Sequence, residues 1–194
     1  MIKSICVYCG SSKGNDPSFE QAAYELGKEL ARRKKRLVYG GAKVGLMGAV
    51  AKGVLDNEGE VLGVIPKFLD HIEISNDQVT ELIITQTMHE RKTIMADKSD
   101  AFIALPGGMG TLEEIAEILT WAQLGLVGAP VGFLNIDGYF DHLLEQFRVM
   151  HRKGLLKPEH LNLFVSAPTP KEIVNEIIDF KSTKTSFEQK LGLT

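Results

Sequence analysis

The sequence predicts an α/β fold: a single-domain, Rossmann-like doubly wound parallel sheet with helices on both faces. Three observations predict it. Short apolar runs of strand length alternate along the chain with longer runs whose apolar residues recur every three or four positions. Loops rich in glycine or serine close three of those strands, at Gly10-Ser11-Ser12, Gly40 to Gly48 and Pro106 to Thr111. At 194 residues the chain is one domain's length, enough to bury a core. In such sheets ligands bind beyond the carboxyl ends of the strands, so the three loops should converge on one crevice.

Ser4 to Tyr8 is the first strand, ending in Cys9-Gly10-Ser11-Ser12. Asp16 before Pro17 is a helix start, an N-cap acid with proline at the first helical position. That helix runs to about Arg33, with Phe19, Ala22, Ala23, Leu26 and Leu30 on one face. Leu37 to Tyr39 is a short second strand, and a helix from about Leu46 to Leu55 ends at Asn57-Glu58-Gly59. Val61 to Ile65 is the third strand, stopped by Pro66, and Val79 to Thr85 the fourth. A helix from Thr87 to about Lys98 leads to the fifth strand, Ala101 to Leu105, and Thr111 opens the next helix, through Leu124. Val131 to Asn135, a helix from about Tyr139 to Met150, and an edge strand Leu163 to Ser166 follow. Thr169-Pro170-Lys171-Glu172 caps a final helix through Phe180. Residues 1–180 thus make the domain, and 181–194 a polar C-terminal tail.

A net charge of −3, with no basic stripe interleaved by aromatics, gives no basis for nucleic-acid binding. The basic run Arg32 to Arg36 reads as the solvated end of a helix, where positive charge suits the dipole. Cys6 and Cys9 lie three apart on a strand and so face opposite sides, and none of the five histidines supplies a second ligand pair at metal-site spacing. Buried thiols in a reducing compartment are the expectation. Met1-Ile2-Lys3 leads straight into the first strand, so no signal peptide is expected, and no apolar run approaches membrane-spanning length. The expected location is the cytoplasm, with no membrane partner.

The central stretch runs from Ile103 to Ile115: a buried strand, a Pro-Gly-Gly-Met-Gly turn, then a helix N-terminus. Free amides and the helix dipole in this arrangement hold an anion, most often a phosphate. Glu113 and Glu114 follow at once, an odd choice for anion binding alone, and suggest a reacting centre close to that phosphate. The competing reading makes Thr111 to Glu114 a capping box and Glu113 an ordinary first-turn acid. Adjacent helix residues diverge, so only one of the two carboxylates should face the crevice.

Met88, Arg91, Lys92 and Met95 share a helix face by spacing, a face suited to an anion or an electron-rich base, or else simply solvated. Thr87 to Glu90 is a plausible capping box, and His89 reads as a surface residue. Gly40 to Gly48 lacks both the dinucleotide spacing, with its acid closing the second strand, and the Gly-Lys-Ser/Thr of a P-loop. It fits close backbone approach to a mononucleotide, with Gly41 at its start.

Pro106-Gly107-Gly108-Met109-Gly110-Thr111-Leu112-Glu113-Glu114 matches P-G-G-x-G-T-x-x-E and resembles the LONELY GUY (LOG) family of cytokinin riboside 5'-monophosphate phosphoribohydrolases, long labelled "lysine decarboxylase". The resemblance takes in Cys9-Gly10-Ser11-Ser12, Gly40-Gly41, Gly45 to Gly48 and Met88-His89-Glu90-Arg91-Lys92, and spans about residues 1 to 180. It implies hydrolysis of the N-glycosidic bond of adenosine-type 5'-monophosphates, releasing free base and ribose 5-phosphate. It maps the catalytic pair onto Arg91 and Glu114, and the phosphate and ribose contacts onto Gly107, Gly108, Gly110 and Thr111. The Ser11-Ser12 turn lines the same crevice, and the expected substrate-binding set also takes in Gly41, Met88 and Lys92. Met88, Met95 and Trp121 are candidates for the base end. It further implies a homodimer with the site near the interface, no metal, and no pyridoxal phosphate or other cofactor. Two rival readings stand beside it. One is a non-catalytic nucleotide or cofactor carrier using the same loops. The other is lysine decarboxylation, which needs a Schiff-base lysine and a cofactor site that no motif here supplies.

Overall fold

The computed structural model describes residues 1–69 and 75–180. The apolar runs become strands β1 (Ser4–Tyr8), β2 (Arg36–Tyr39), β3 (Val61–Pro66), β4 (Glu81–Thr85), β5 (Ala101–Ala104), β6 (Val131–Leu134) and β7 (Phe164–Ala167). They form one seven-stranded sheet in the order β4-β3-β2-β1-β5-β6-β7, and every neighbouring pair is parallel. The amphipathic runs become α1 (Pro17–Arg32), α2 (Gly45–Leu55), α3 (Met88–Asp97), α4 (Met109–Leu124), α5 (Asp141–Arg152) and α6 (Pro170–Asp179). The expected doubly wound sheet is present.

Side chains alternate along each strand, so the sheet carries a core on each face. One core joins Ile5, Val7 and Tyr39 to Leu26 and Leu30 of α1, Val50 and Val54 of α2 and Ile173 of α6. The other joins Cys6, Tyr8 and Phe102 to Met95 of α3, Ile115 and Ile118 of α4 and Leu144 of α5. Cys6 and Cys9 belong to opposite cores, so as expected they cannot share a ligand. The helix starts at Asp16 and Thr169 also form: Asp16 Oδ1 accepts from Ser18 N at 2.8 Å, and Thr169 Oγ1 from Glu172 N at 3.3 Å. Among the described residues no helix is long and apolar enough to cross a membrane.

Three differences from the expected boundaries fall at β3, β4 and α4. β3 continues through Pro66, which pairs with Thr85 at the last rung, where a missing N–H costs only one ladder bond. β4 starts at Glu81, two residues later than the apolar pattern suggests. The consequential difference is at α4. Its N-cap is Gly108, without any side-chain cap, and Thr111 is already the third helical residue. The Thr111–Glu114 capping box therefore does not form, and Glu113 and Glu114 lie in the second turn. The tail 181–194 lies outside the described residues.

Candidate active site

Strand order reverses between β1 and β5, since the chain runs one way from β1 through β2 to β4 and the other way from β5 to β7. Two backbone hydrogen bonds gather the loops there. Gly10 N donates to Pro106 O at 3.1 Å, and Leu46 N donates to Gly10 O at 3.0 Å. All three glycine-bearing loops thus meet, as expected, around a cavity of about 210 Å³.

Arg91 and Glu114 both line this cavity. Arg91 is only 5% exposed, which removes the solvated-face reading of α3. Its Nη2 donates to Gly40 O at 3.1 Å, and Nη1 lies 3.8 Å from Met88 Sδ. Its Nε is buried with no hydrogen-bond partner among the described residues. A buried guanidinium with an unmet donor is an unusual expense in a folded chain and marks a group held ready for a ligand. Gly40 makes the seat possible, because a Cβ there would lie 2.0 Å from Arg91 Nη2.

The opposite wall is the uncapped start of α4. Gly108, Gly110 and Thr111 line the cavity, and the first turn of the helix carries no acid. Among the described residues a Cβ on Gly108 or Gly110 would meet nothing within 4 Å, so none of them requires a glycine at either position. Bare peptide facing open space at a helix N-terminus leaves room for an anion to approach the amides closely. Gly107 is constrained instead: a Cβ would sit 2.1 Å from Thr111 Oγ1, and its carbonyl accepts the Tyr139 hydroxyl at 2.5 Å.

Met88 and Met95 supply an apolar stretch of wall, with Met47 and Leu69. Tyr8 forms part of the floor beside Ser11. Burial pushes the Tyr8 phenol and the Cys6 thiol beneath it well above their ordinary values, so both stay neutral. Sequence reasoning missed Tyr8, Gly40 and Met47 as cavity residues. Tyr8 ends β1, and Gly40 and Met47 fall within the Gly40 to Gly48 loop expected at the crevice, so position could have pointed to all three.

The remaining expected residues lie elsewhere. Ser12 and Gly107 line an adjoining recess with Phe19 and Tyr139, which shares Gly10, Ser11 and Gly108 with the cavity. Gly41, at φ +78, packs on Ile65, and its carbonyl accepts Asn76 N at 2.9 Å. Trp121 packs against the core of α3 to α5 and is not among the cavity's described lining residues. Lys92 also lies outside that lining: its ammonium sits 2.5 Å from Glu113 Oε1 and 3.1 Å from Glu117 Oε2. Burial works against that charge, yet the two carboxylates outweigh it and hold Lys92 above the ordinary lysine value. Of the two adjacent acids, Glu114 faces the crevice and Glu113 turns to Lys92. His89 is exposed, and Glu90 Oε2 accepts from Gln86 N at 2.8 Å while Thr87 Oγ1 accepts from Glu90 N at 3.1 Å, close to the expected box.

Known proteins resemble the chain along most of its length. A family model described as "Possible lysine decarboxylase" matches residues 47–177. The chain is 49% identical over 179 residues to the probable cytokinin riboside 5'-monophosphate phosphoribohydrolase LOGL9 of Oryza sativa subsp. japonica, covering 92% of this chain and 79% of that one. It is 46% identical over 200 residues to the cytokinin riboside 5'-monophosphate phosphoribohydrolase LOG1 of Arabidopsis thaliana, covering 100% and 94%. Among solved structures, a molybdenum cofactor binding protein from Rippkaea orientalis is 28% identical with a TM-score of 0.68, covering 92% and 98%. The molybdenum cofactor carrier protein of Chlamydomonas reinhardtii, 23% identical with a TM-score of 0.70 over 93% and 100%, shares the fold. By the matched model and by identity along nearly its whole length, the chain belongs to the LONELY GUY family.

Proposed function

We propose that this protein is a nucleoside 5'-monophosphate phosphoribohydrolase. It takes adenosine 5'-monophosphates, plain or N6-modified, to free base and ribose 5-phosphate. One observation carries the reading: Arg91, Glu114 and the uncapped start of α4 line one cavity. Related chains named as cytokinin riboside 5'-monophosphate phosphoribohydrolases support the same substrate class.

The 5'-phosphate binds the amides of the Gly108 to Thr111 turn and is favoured by the dipole of α4. That fixes the ribose within reach of Glu114, one turn further along the same helix, so that remote binding energy is spent on orientation. As the bond between C1' and the base nitrogen breaks, positive charge builds on the sugar. Glu114 stabilises that charge and takes a proton from the attacking water, whose oxygen bonds to C1'. The departing base leaves with the electron pair of the broken bond, and Arg91, with its unmet Nε donor, stabilises the negative charge there. The methionines and Leu69 receive the base and any apolar N6 substituent.

The working unit in this reading is a homodimer with the site near its interface, in the cytoplasm. Met109, 80% exposed between the two open glycines, and the exposed Leu112 on the same helix face are apolar groups at the cavity mouth that a second subunit would cover.

Chromatography of a nucleoside monophosphate panel for liberated bases tests the reaction. The wild type is expected to release adenine or an N6-substituted adenine, and Glu114→Gln or Arg91→Ala to lose at least 10²-fold in rate with the fold intact. Full activity in either variant overturns the assignment. The second reading, a non-catalytic carrier, is favoured by the similarity to the molybdenum cofactor binding protein. Tight AMP binding with no base released over hours would establish it. Decarboxylation of lysine is not supported, since the cavity's described lining includes no lysine to form a Schiff base.

A further inference from the structure

Arg91 and Glu114 sit on different helices, so something must fix their separation. Each has a neighbour in sequence that does not face the cavity, and those neighbours meet. Lys92, next to Arg91, reaches Glu113, next to Glu114, at 2.5 Å, and Glu117 one turn further along α4 at 3.1 Å. The lysine side chain is 10% exposed, whereas Glu113 is 56% and Glu117 28% exposed. The cation is therefore the buried partner, and the carboxylates come to it from the rim.

We propose that Lys92 is a positioning residue: by bridging Glu113 and Glu117 it locks α3 to α4 and sets the spacing of Arg91 and Glu114 without touching substrate. The proposal rests on the hydrolase reading of the cavity.

Three points favour positioning over the alternatives. The ammonium already has two carboxylates within 3.2 Å and lies outside the cavity's described lining, so it has little left to offer a phosphate. As a stabilising device the arrangement is poor, since a buried lysine loses its hydration and an apolar side chain of the same length would fill the space as well. What an apolar side chain cannot do is fix direction. The packing of Met95 and Ile94 against Ile115 and Ile118 is non-directional and permits sliding, whereas one cation held between acids four residues apart defines a register along α4. Arg91 is meanwhile tied to Gly40 O, just beyond β2, so α3 is fixed to the sheet as well as to α4.

The test compares wild type, Lys92→Met and Lys92→Arg, each in steady-state hydrolysis of AMP and in a crystal structure. Lys92→Met should keep its melting temperature within a few degrees, keep KM within about twofold and lose roughly 10- to 100-fold in kcat, the size of effect a misplacement near 1 Å produces. Lys92→Arg, which can still span both carboxylates, should recover most of that loss. In the crystal, α3 of Lys92→Met should be displaced relative to α4, changing the distance from Arg91 to Glu114. A raised KM at unchanged kcat assigns Lys92 to substrate binding and overturns the proposal, as does full activity. A wild type that releases no base defeats the hydrolase reading instead. The crystallographic displacement, or its absence, still decides the clamp.

Discussion

Replacing Gly40 by alanine isolates the seating of Arg91 from everything else in the site. The backbone at Gly40 is not in the left-handed region, so alanine is conformationally admissible there. The added methyl would lie 2.0 Å from Arg91 Nη2 and 2.8 Å from Met47 Sδ, against an ordinary contact of 3.4 Å or more. Both obstacles are the ends of flexible side chains, so they move before the strand does. Arg91 must retreat by roughly 1.4 Å, giving up the 3.1 Å hydrogen bond to Gly40 O. A bond from a charged donor contributes about 1.5–3 kcal/mol, and misplacement on this scale costs about 10²-fold in rate. Gly40→Ala should therefore lower kcat for AMP about 100-fold. Its melting temperature should fall by about 3–12 °C, since each kcal/mol is worth about 2–4 °C at this chain length. Adenine release followed by chromatography, with a thermal melt on the same sample, makes the comparison. Activity within about threefold of wild type would refute the reasoning, because the guanidinium would then be working from somewhere other than its seat on Gly40 O.

Three further predictions follow from contacts around the site and the sheet. Tyr139→Phe removes the hydroxyl that holds Gly107 O at 2.5 Å, loosening the turn before α4; KM for AMP should rise about fivefold with little change in kcat, for a loss of about 1 kcal/mol. Asp100 Oδ2 accepts from Lys3 N at 2.7 Å and Ser4 N at 3.0 Å; burial raises its pKa, but those two amides outweigh it, and the net shift is downward. Its stabilising effect is thus present above the unfolded value of about 3.9 and lost as pH falls through the lower folded value, so Asp100→Asn should flatten the dependence of melting temperature on pH below about pH 4. Cys6 is fully buried with its thiol pushed far up by desolvation, so a thiol reagent should modify it only at the rate of unfolding; fast labelling of the native protein would contradict that burial.

The strands, the helices and their alternation were legible in the sequence because each is a local pattern of apolar spacing bounded by glycine, proline or a capping side chain. Asp16 with Pro17 and Thr169 with Pro170 fixed two helix starts. Thr111 misled, because a threonine three before a glutamate looks like a cap when the preceding glycines are read as loop. The helix in fact extends back to Met109, and it is the missing cap that leaves the amides available. Arg91 and Glu114 could be named from their motifs, but not the seat of Arg91, which depends on a carbonyl 51 residues earlier in the chain. Lys92 went to the substrate side by its spacing with Arg91. Its partners lie on another helix, and no periodicity within α3 reports them.

The two cores described above divide labour in a way that bears on access to the crevice. Both reacting side chains stand on α3 and α4, which share one core and one face of the sheet, whereas α1 and α2 rest on the other. Met47, standing on α2, therefore reaches the cavity from the opposite layer to the acid and the guanidinium. A substitution at Met47 changes that wall of the cavity without touching the packing of α3 and α4 in their shared core.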